Sequence, residues 1–292
     1  MSSISTVKKA VFPVAGMGLR FLPATKANPK EMLPIVDKPL IQYAVEEALK
    51  AGLTDMIFVT NSSKRAIEDH FDSYYELEKK LLEQNKTDLY DLVKAISPEG
   101  VHFTYVRQQE ALGLGHALLC AKHIIGNDPF AVLLADDLIE ETAEHPCLSE
   151  MVKQYVMTSR SIVAVQAVPE LEVDKYGIVD MAAKEDSLNA IRAIIEKPAL
   201  HEAPSNLAAV GRYIFTPRIF DYLEQTPKDQ RGEIQLTDAI AKLIQHERVD
   251  AFTFEGKRYD CGSKLGYVKA TIEYALKHPE IGASFKDYWE SR

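Results

Sequence analysis

The chain of 292 residues has the composition of an ordinary globular protein, with 46% hydrophobic and 26% charged residues. Its formal net charge of -9, without any lysine or arginine run, argues against nucleic acid as a partner. The apolar stretch near the N-terminus contains Pro13 and is too short for a signal peptide or a membrane span. Three widely spaced cysteines favour a reducing cytoplasm over a disulfide framework or a zinc site.

The first sixty residues predict a right-handed strand, helix, strand unit. Val7 to Ala15 is an apolar run that ends in a glycine loop, as expected for a buried first strand. Leu40 to Leu49 places apolar side chains at helical spacing, and Met56 to Thr60 predicts the next parallel strand. Ser62 and Ser63 are candidate N-caps of a long charged helix that reaches about residue 84.

The remainder of the chain predicts a mixed sheet. Further strands are expected at Val101–Val106, Phe130–Ala135, Ser161–Val168, Leu188–Ile195 and Ala208–Phe215. Further helices are expected at Ala117–Ile125, Pro217–Glu224, Ile234–Gln245 and Lys264–Lys277. Because no flexible linker or repeat interrupts residues 1–292, we expect one α/β domain with insertions, and a second small lobe is the alternative.

The segment from Val14 to Arg20 predicts an anion-binding loop, since small residues after a strand let backbone N–H groups approach a phosphate. A third glycine of a dinucleotide fingerprint is replaced by Phe21, and no Gly-Lys-Ser/Thr of a Walker A loop is present. Three cations follow on a proline-stiffened stretch, at Arg20, Lys26 and Lys30. The alternatives are a simple tight turn and solvated surface charges.

Several ordered motifs carry a family resemblance. Gly16 to Pro34 resembles the signature of bacterial UTP–glucose-1-phosphate uridylyltransferases, in the nucleotide-sugar pyrophosphorylase superfamily. The later landmarks are Arg107-Gln108, Gly113 to Ala117, Ala135-Asp136-Asp137, Tyr176-Gly177-Ile178, Glu196-Lys197-Pro198, Gly211-Arg212-Tyr213, Glu233 to Asp238 and Tyr259 to Ser263. The family usually has threonine at the position of Leu19, and Met17 is also atypical. The resemblance implies a Rossmann-like three-layer αβα nucleotidyltransferase fold with a mixed, mostly parallel central sheet.

The resemblance also implies the reaction. A phosphate oxygen of glucose 1-phosphate attacks the α-phosphorus of UTP, which releases pyrophosphate and forms UDP-glucose by a magnesium-assisted in-line displacement. Arg20 and Lys30 are expected to hold the triphosphate, and Lys197 the attacking phosphate. No general base is required, because that phosphate is already ionised near neutral pH.

Two aspartates are the expected Mg²⁺ ligands. Asp136 follows an apolar strand, at the edge where open α/β sheets bind ligands, and Asp260 is the second carboxylate by resemblance. Asp137 should point to the opposite face, and we expect a helix cap or an exposed turn residue there. No covalent nucleophile is expected at Cys261, which has no histidine base nearby in sequence.

Base and sugar recognition is expected from residues that match the family motifs. Gln108 offers the hydrogen-bonding complement of a pyrimidine imide edge, and Glu196 can accept sugar hydroxyls. His116 is a candidate nucleotide contact or a structural residue. The complete set of expected substrate-binding residues is Ala15, Gly16, Gly18, Lys26, Glu31, Gln108, Gly113, Gly115, Gly177, Glu196 and Gly211.

Three other functions remain open at this point. They are thymidylyl or adenylyl transfer to a sugar 1-phosphate, a weakly active regulatory paralogue, and, more distantly, a Rossmann dehydrogenase. Relatives of the family are commonly dimers or tetramers, and the C-terminal helices are candidates for a subunit interface.

Overall fold

A computed structural model of the chain describes residues 6–141, 144–183 and 189–291. The strands are β1 (Lys9–Pro13), β2 (Pro34–Ile35), β3 (Lys38–Pro39), β4 (Asp55–Thr60), β5 (His102–Arg107), β6 (Phe130–Leu133), β7 (Asp137–Glu141), β8 (Ser161–Ala167), β9 (Gly177–Met181), β10 (Ile191–Glu196), β11 (Leu207–Phe215), β12 (Val249–Thr253) and β13 (Gly256–Asp260). The α-helices are α1 (Leu40–Lys50), α2 (Arg65–Phe71), α3 (Tyr75–Glu83), α4 (Thr87–Lys94), α5 (Gly113–Ile125), α6 (Cys147–Thr158), α7 (Ile219–Glu224), α8 (Leu236–Ile244), α9 (Lys264–Lys277) and α10 (Gly282–Glu290). Short 3-10 helices lie at Leu19–Phe21, Ala24–Lys26, Lys30–Met32 and Glu170–Lys175.

The central sheet has nine strands. Seven of them form the path β10-β9-β11-β6-β1-β4-β5, while β8 pairs with β11 and β12 pairs with β8. Strands β6, β1, β4 and β5 are parallel to one another, and so are β8 and β12. Strand β10 pairs antiparallel with β9, and β11 pairs antiparallel with β6, β8 and β9, so β10 and β11 run opposite to the other strands of the sheet. The expected mixed, mostly parallel sheet is therefore confirmed.

Two apolar cores cover the two faces of this sheet. Along β1, Ala10 and Phe12 enter one core while Val11 enters the other, as the two-residue period of a strand requires. Helices α1, α2 and α6 pack on the first face, and α5, α7 and α8 on the second. The three-layer αβα arrangement that the resemblance implied is confirmed by this packing.

A two-stranded ribbon and α9 lie beside the main sheet. Strands β7 and β13 pair antiparallel, with Asp137 opposite Asp260. A smaller cluster that includes Leu138, Tyr259 and Ala270 packs α9 against the ribbon. Over the described residues, every helix is too short or too polar to cross a membrane.

The prediction of one long charged helix after Ser62 is wrong. The structure has α2 and α3 instead, with extended backbone at Asp72 between them. The carbonyl of Phe71 accepts a hydrogen bond from the Ser97 hydroxyl, and Ser73 N donates to the Asp72 carboxylate. These side-chain bonds compete with the helical pattern and end the helix. Ser62 and Ser63 are not the N-cap either, since that residue is Lys64.

Other differences concern boundaries and missed elements. The predicted helix at Ala117 begins at Gly113, so the GLGHA motif forms the first turn of α5. The strand predicted at Leu188–Ile195 is observed at Ile191–Glu196, and residue 188 lies outside the described residues. Nothing was predicted from the sequence at β2, β3, β7, β9, β12, β13, α4, α6 and α10, and all of these except α6 are nine residues or shorter.

Candidate active site

The sequence-predicted residues gather where the parallel strands end. The glycine loop follows β1, Gln108 follows β5, and Asp136 follows β6 by three residues. Since these strands are parallel, their carboxyl ends lie at one edge of the sheet, which is where open α/β folds bind ligands. The expectation that this edge carries the chemistry thus has a geometric basis.

The glycine loop after β1 is open to solvent. A Cβ added to Gly16 would have no heavy atom within 4 Å, whereas Gly18 has a φ of 67°, in the left-handed region that favours glycine. The hydroxyl of Thr25 donates to the Gly18 carbonyl at 2.7 Å, and Asn61 Nδ2 donates to the Ala15 carbonyl at 2.6 Å. Two side chains therefore fix the carbonyl groups of the loop, while its solvent side stays open to an anion.

The cationic stretch that follows the loop is held in place by the C-terminal part of the chain. Arg20 Nη1 donates to the Gly262 carbonyl at 3.4 Å. The hydroxyl of Tyr267 on α9 donates to the Pro34 carbonyl at 2.6 Å, and its ring meets Phe21 edge-on at 5.6 Å between centroids. Arg20 Nη1 thus lies close to Gly262, which is also where Asp136 and Asp260 approach each other.

Asp136 and Lys30 form an ion pair of 2.6 Å between Nζ and Oδ2. Burial disfavours both charges, but their mutual attraction outweighs it, so the pKa of Asp136 is lowered and that of Lys30 is raised. Both groups are therefore charged at neutral pH. Lys30 was expected to hold the triphosphate, and here it neutralises the carboxylate expected to bind metal.

Asp136 and Asp260 converge on one point. Oδ2 of Asp136 and Oδ1 of Asp260 each lie 3.0 Å from the position that a Cβ at Gly262 would occupy. Magnesium takes oxygen ligands, usually one or two carboxylates together with waters and substrate phosphates. Throughout the described part of the chain, no group of three or more His, Cys, Asp or Glu residues could hold a metal ion. The pair of aspartates fits a magnesium ion that takes its other ligands from solvent and substrate.

Asp137 is not the cap or exposed turn residue that was expected. Its side chain is buried at the start of β7, where Oδ2 accepts a hydrogen bond from Gly211 N at 2.8 Å. Its Oδ1 forms an ion pair with Arg258 at 2.5 Å. Arg258 also lies over the Tyr176 ring, whose hydroxyl donates to Asp260 Oδ2 at 3.4 Å. Asp137 thus links the elements that carry both expected metal ligands.

Cys261 is a buried thiol between these groups. Burial raises its pKa to about 12, so it is protonated at neutral pH. This agrees with the expectation that it is not a nucleophile.

Gln108 lies at the end of β5 with its amide held in one orientation. Its Nε2 donates to the Gly113 carbonyl at 3.1 Å and lies 3.0 Å from His116 Nδ1. The amide nitrogen is therefore occupied, and the carbonyl oxygen is the group that can accept the N–H of a pyrimidine imide. His116 therefore has a structural contact with this amide, and a contact of His116 with the nucleotide stays a prediction.

Gly113 and Gly115 make room for another chain segment. Gly115 N donates to the Ile234 carbonyl at 2.9 Å, and a Cβ at Gly115 would lie 2.7 Å from that oxygen. Gly113 has a φ of 90°, and its Cβ would lie 2.9 Å from Glu233 Cβ. Close packing against Glu233 and Ile234 is thus a sufficient reason for both glycines. Whether they also contact the nucleotide stays a prediction.

Gly115→Ala should destabilise the protein by about 1–3 kcal/mol, because the added methyl group overlaps backbone that cannot move freely. Urea unfolding followed by circular dichroism measures the difference. Gly16→Ala is the matched control, since the space beside Gly16 is empty, and its stability should change by less than about 0.5 kcal/mol. Equal stability of the two variants would contradict the packing argument.

The expected sugar-phosphate residues lie together at the end of β10. Glu196 Oε2 accepts a hydrogen bond from the Thr237 hydroxyl at 2.6 Å, and Oε1 forms an ion pair with Lys197 Nζ at 2.9 Å. Lys197 has a φ of 44°, and its backbone N donates to the Tyr176 carbonyl at 2.9 Å. A non-glycine residue in the left-handed region often marks a functional site.

Four other expected substrate contacts have different surroundings. The space beside Gly211 is filled, since a Cβ there would lie 2.7 Å from Asp137 Oδ2. Glu31 is buried in an ion pair of 2.8 Å with Lys64, although its Oε1 has no hydrogen-bond partner. Lys26 is exposed. A Cβ at Gly177 would lie 3.2 Å from Thr237. Contacts of these four residues with substrate stay predictions.

Four residues that shape the site had no role predicted from the sequence. Arg258, Tyr176 and Thr237 contact the expected ligands or their neighbours, and Arg212 bonds the chain around Asp136. Three of them lie inside quoted motifs, so motif membership was the available signal. Arg258 precedes its motif by one residue, and nothing in the sequence marked it.

Comparison with known proteins is consistent with this geometry. Residues 9–277 match a family described as Nucleotidyl transferase. The chain belongs to the nucleotidyl transferase family. Within it, a UTP–glucose-1-phosphate uridylyltransferase from Staphylococcus epidermidis is 53% identical over 282 residues, which is 97% of each chain. The family resemblance inferred from the motifs is therefore confirmed.

Two solved structures of nucleotidyl transferases have the same fold. A UTP-bound UGPase from Acinetobacter baumannii has a TM-score of 0.89 and 48% identity, covering 97% of this chain and 98% of its own. A UDP-glucose pyrophosphorylase complexed with UDP-glucose has a TM-score of 0.84 and 47% identity, covering 93% of this chain and all of its own. The fold class is confirmed by both similarities.

Proposed function

We propose that the chain transfers UMP from UTP to glucose 1-phosphate, forming UDP-glucose and pyrophosphate. One observation carries the proposal: Asp136 and Asp260 converge on Gly262 at the edge of the sheet where Arg20 and Lys30 also lie. Opposite charges gathered in this way suit a reaction between two polyanions. The relatives named as uridylyltransferases, and the structures bound to UTP and UDP-glucose, support these substrates.

In the proposed site, the backbone of the glycine loop and Arg20 bind the triphosphate. Lys197, beside Glu196, binds the phosphate of glucose 1-phosphate and orients its oxygen toward the α-phosphorus of UTP. The carbonyl oxygen of Gln108 accepts the imide N–H of uracil. The protein thus contributes positioning and charge, and no residue forms a covalent bond to substrate.

We also propose Mg²⁺ as the cofactor. Asp136 and Asp260 would hold it, and when bound it supplies positive charge that offsets the developing charge on the phosphates. Lys30, which pairs with Asp136, would then lie beside the metal and the phosphates that ligate it. A role in phosphate binding and the observed ion pair are therefore compatible.

The test is a nucleotide-by-sugar panel with and without Mg²⁺, read as pyrophosphate released. UTP with glucose 1-phosphate should give the highest rate, and chelation of the metal should abolish it. Faster thymidylyl or adenylyl transfer would overturn the uridylyl assignment. No pyrophosphate from the purified chain would indicate a regulatory paralogue, a possibility suggested by Met17 and Leu19, which are atypical of the family at these positions.

We further propose a single-domain enzyme that forms homodimers or homotetramers in the cytoplasm. The three free cysteines suit a reducing compartment. Exposed aromatic residues on α10, Tyr288 and Trp289, support a subunit contact by the C-terminal helices. Light scattering after gel filtration would measure the subunit number.

A further inference from the structure

A buried pair of opposite charges lies behind the loop that carries Asp136. Arg212 in β11 is 1% exposed and Glu47 in α1 is 6% exposed. Arg212 Nε donates to both carboxylate oxygens at 2.9 Å, and Nη2 donates to Oε2 at 2.6 Å. The proposed reaction gives neither residue a role.

The other donors of Arg212 bond the main chain on both sides of Asp136. Nη1 donates to the Leu134 carbonyl at 3.1 Å and to the Gly211 carbonyl at 2.9 Å. Nη2 also donates to the Asp137 carbonyl at 2.9 Å. All five N–H donors of the guanidinium therefore have partners. Its planar shape fixes the carbonyls that precede and follow Asp136 relative to each other.

Further hydrogen bonds hold the segment around Asp136 against β11. Leu134 N donates to the Gly211 carbonyl at 2.9 Å, and Asp137 Oδ2 accepts from Gly211 N at 2.8 Å. A Cβ at Gly211 would lie 2.7 Å from both Leu134 Cβ and Asp137 Oδ2, so the segment lies directly against β11. The backbone around Asp136 is thus held at its two ends.

Stability alone does not explain why this position carries charges. Burying an ion pair is costly, and apolar residues of similar volume often stabilise a fold as well or better. Apolar side chains cannot bond three carbonyl groups, however. The charged pair therefore provides a fixed backbone geometry that a hydrophobic pair would not.

We propose that Arg212, neutralised by Glu47, is a positioning residue that fixes residues 134–137 and so directs the Asp136 carboxylate toward Asp260. The inference rests on the proposed function, since it uses Asp136 as a metal ligand. Arg212 acts through the backbone and touches neither substrate nor metal.

Arg212→Lys tests the inference, because lysine keeps the charge for Glu47 but has one nitrogen in place of the planar fork. Mn²⁺ binding to the nucleotide-free protein is measured from the loss of the free Mn²⁺ signal in electron paramagnetic resonance, because UTP itself chelates Mn²⁺. The dissociation constant should rise at least about tenfold, as is usual when support of a metal ligand is removed. The KM for glucose 1-phosphate should not change, because Lys197 follows β10, which is not the strand that carries Arg212.

Ile125→Ala is the control for lowered stability. Ile125 is fully buried at the C-terminal end of α5, away from the Asp136 loop, so the variant loses core packing only. Its Mn²⁺ affinity should equal that of the wild type. Hydrogen exchange on the wild type gives a second measurement, in which the amides of Leu134 and Asp137 should be as protected as those of β6.

Unchanged Mn²⁺ affinity in folded Arg212→Lys would overturn the inference, as would an equal loss in Ile125→Ala. If Arg212→Lys does not fold, hydrogen exchange decides, since rapid exchange at Leu134 and Asp137 would show an unfixed loop. An inactive wild type would refute the proposed function instead. An active, metal-dependent wild type beside an unaffected Arg212→Lys variant would refute only this inference.

Discussion

Lys197→Gly should lower turnover at least about a hundredfold while the folded protein stays at least as stable as the wild type. The loss of activity follows from removing the fixed positive charge that is proposed to hold the attacking phosphate. The stability follows from the φ of 44°, which glycine adopts without the steric cost that a Cβ incurs. The surface pair with Glu196 contributes less than about 1 kcal/mol, because Lys197 is 39% exposed.

Initial rates of pyrophosphate release and urea unfolding measure the two effects separately. Lys197→Ala should lose as much activity while keeping the unfavourable backbone conformation, so it should be less stable than Lys197→Gly. Lys153→Ala removes an exposed lysine on α6 and should leave both quantities unchanged. Near-normal turnover of Lys197→Gly would remove this residue from the mechanism.

Asp136→Asn should also lower turnover at least about a hundredfold, because a neutral amide is a much weaker magnesium ligand than a carboxylate. The loss should be measured across a range of Mg²⁺ concentrations, since a weakened site shifts half-saturation to higher metal. The change also removes the anionic partner of Lys30, which lies 2.6 Å away. A second variant is needed to separate these two effects.

Asp260→Asn separates loss of a metal ligand from loss of an ion pair. The hydrogen bonds found for the Asp260 carboxylate come from Gly262 N and the Tyr176 hydroxyl rather than from a cation. This variant should show the same dependence on Mg²⁺. Asp128→Asn is the control, since Asp128 is exposed and pairs with Lys9 outside the site. A fully active Asp260→Asn variant would contradict the two-carboxylate site.

Local sequence signals predicted the central part of the fold. Alternating burial along β1, and the small residues that follow it, are properties of neighbouring residues. The position of Asp136 after an apolar strand could be predicted for the same reason. The prediction of a long helix after Ser62 was wrong because the Ser97 hydroxyl bonds the Phe71 carbonyl. These two residues are 26 apart in sequence, so local periodicity does not show their contact.

Asp137 shows why the supporting contacts could not be predicted. Its partners Gly211 and Arg258 are 74 and 121 residues away, so nothing in the sequence around Asp137 indicates burial. The pairing of Arg212 with Glu47 spans 165 residues. Periodicity and motif spacing report local geometry, whereas these bonds depend on how the sheet brings distant strands together.

The attachment of the cationic stretch to α9 has a consequence for synthesis of the chain. Arg20 and Gly262 are 242 residues apart, and Pro34 and Tyr267 are 233 apart. During translation the cationic stretch is therefore made 242 and 233 residues before the two groups that hold it. The nascent polypeptide cannot complete these contacts until the residues between them have been made.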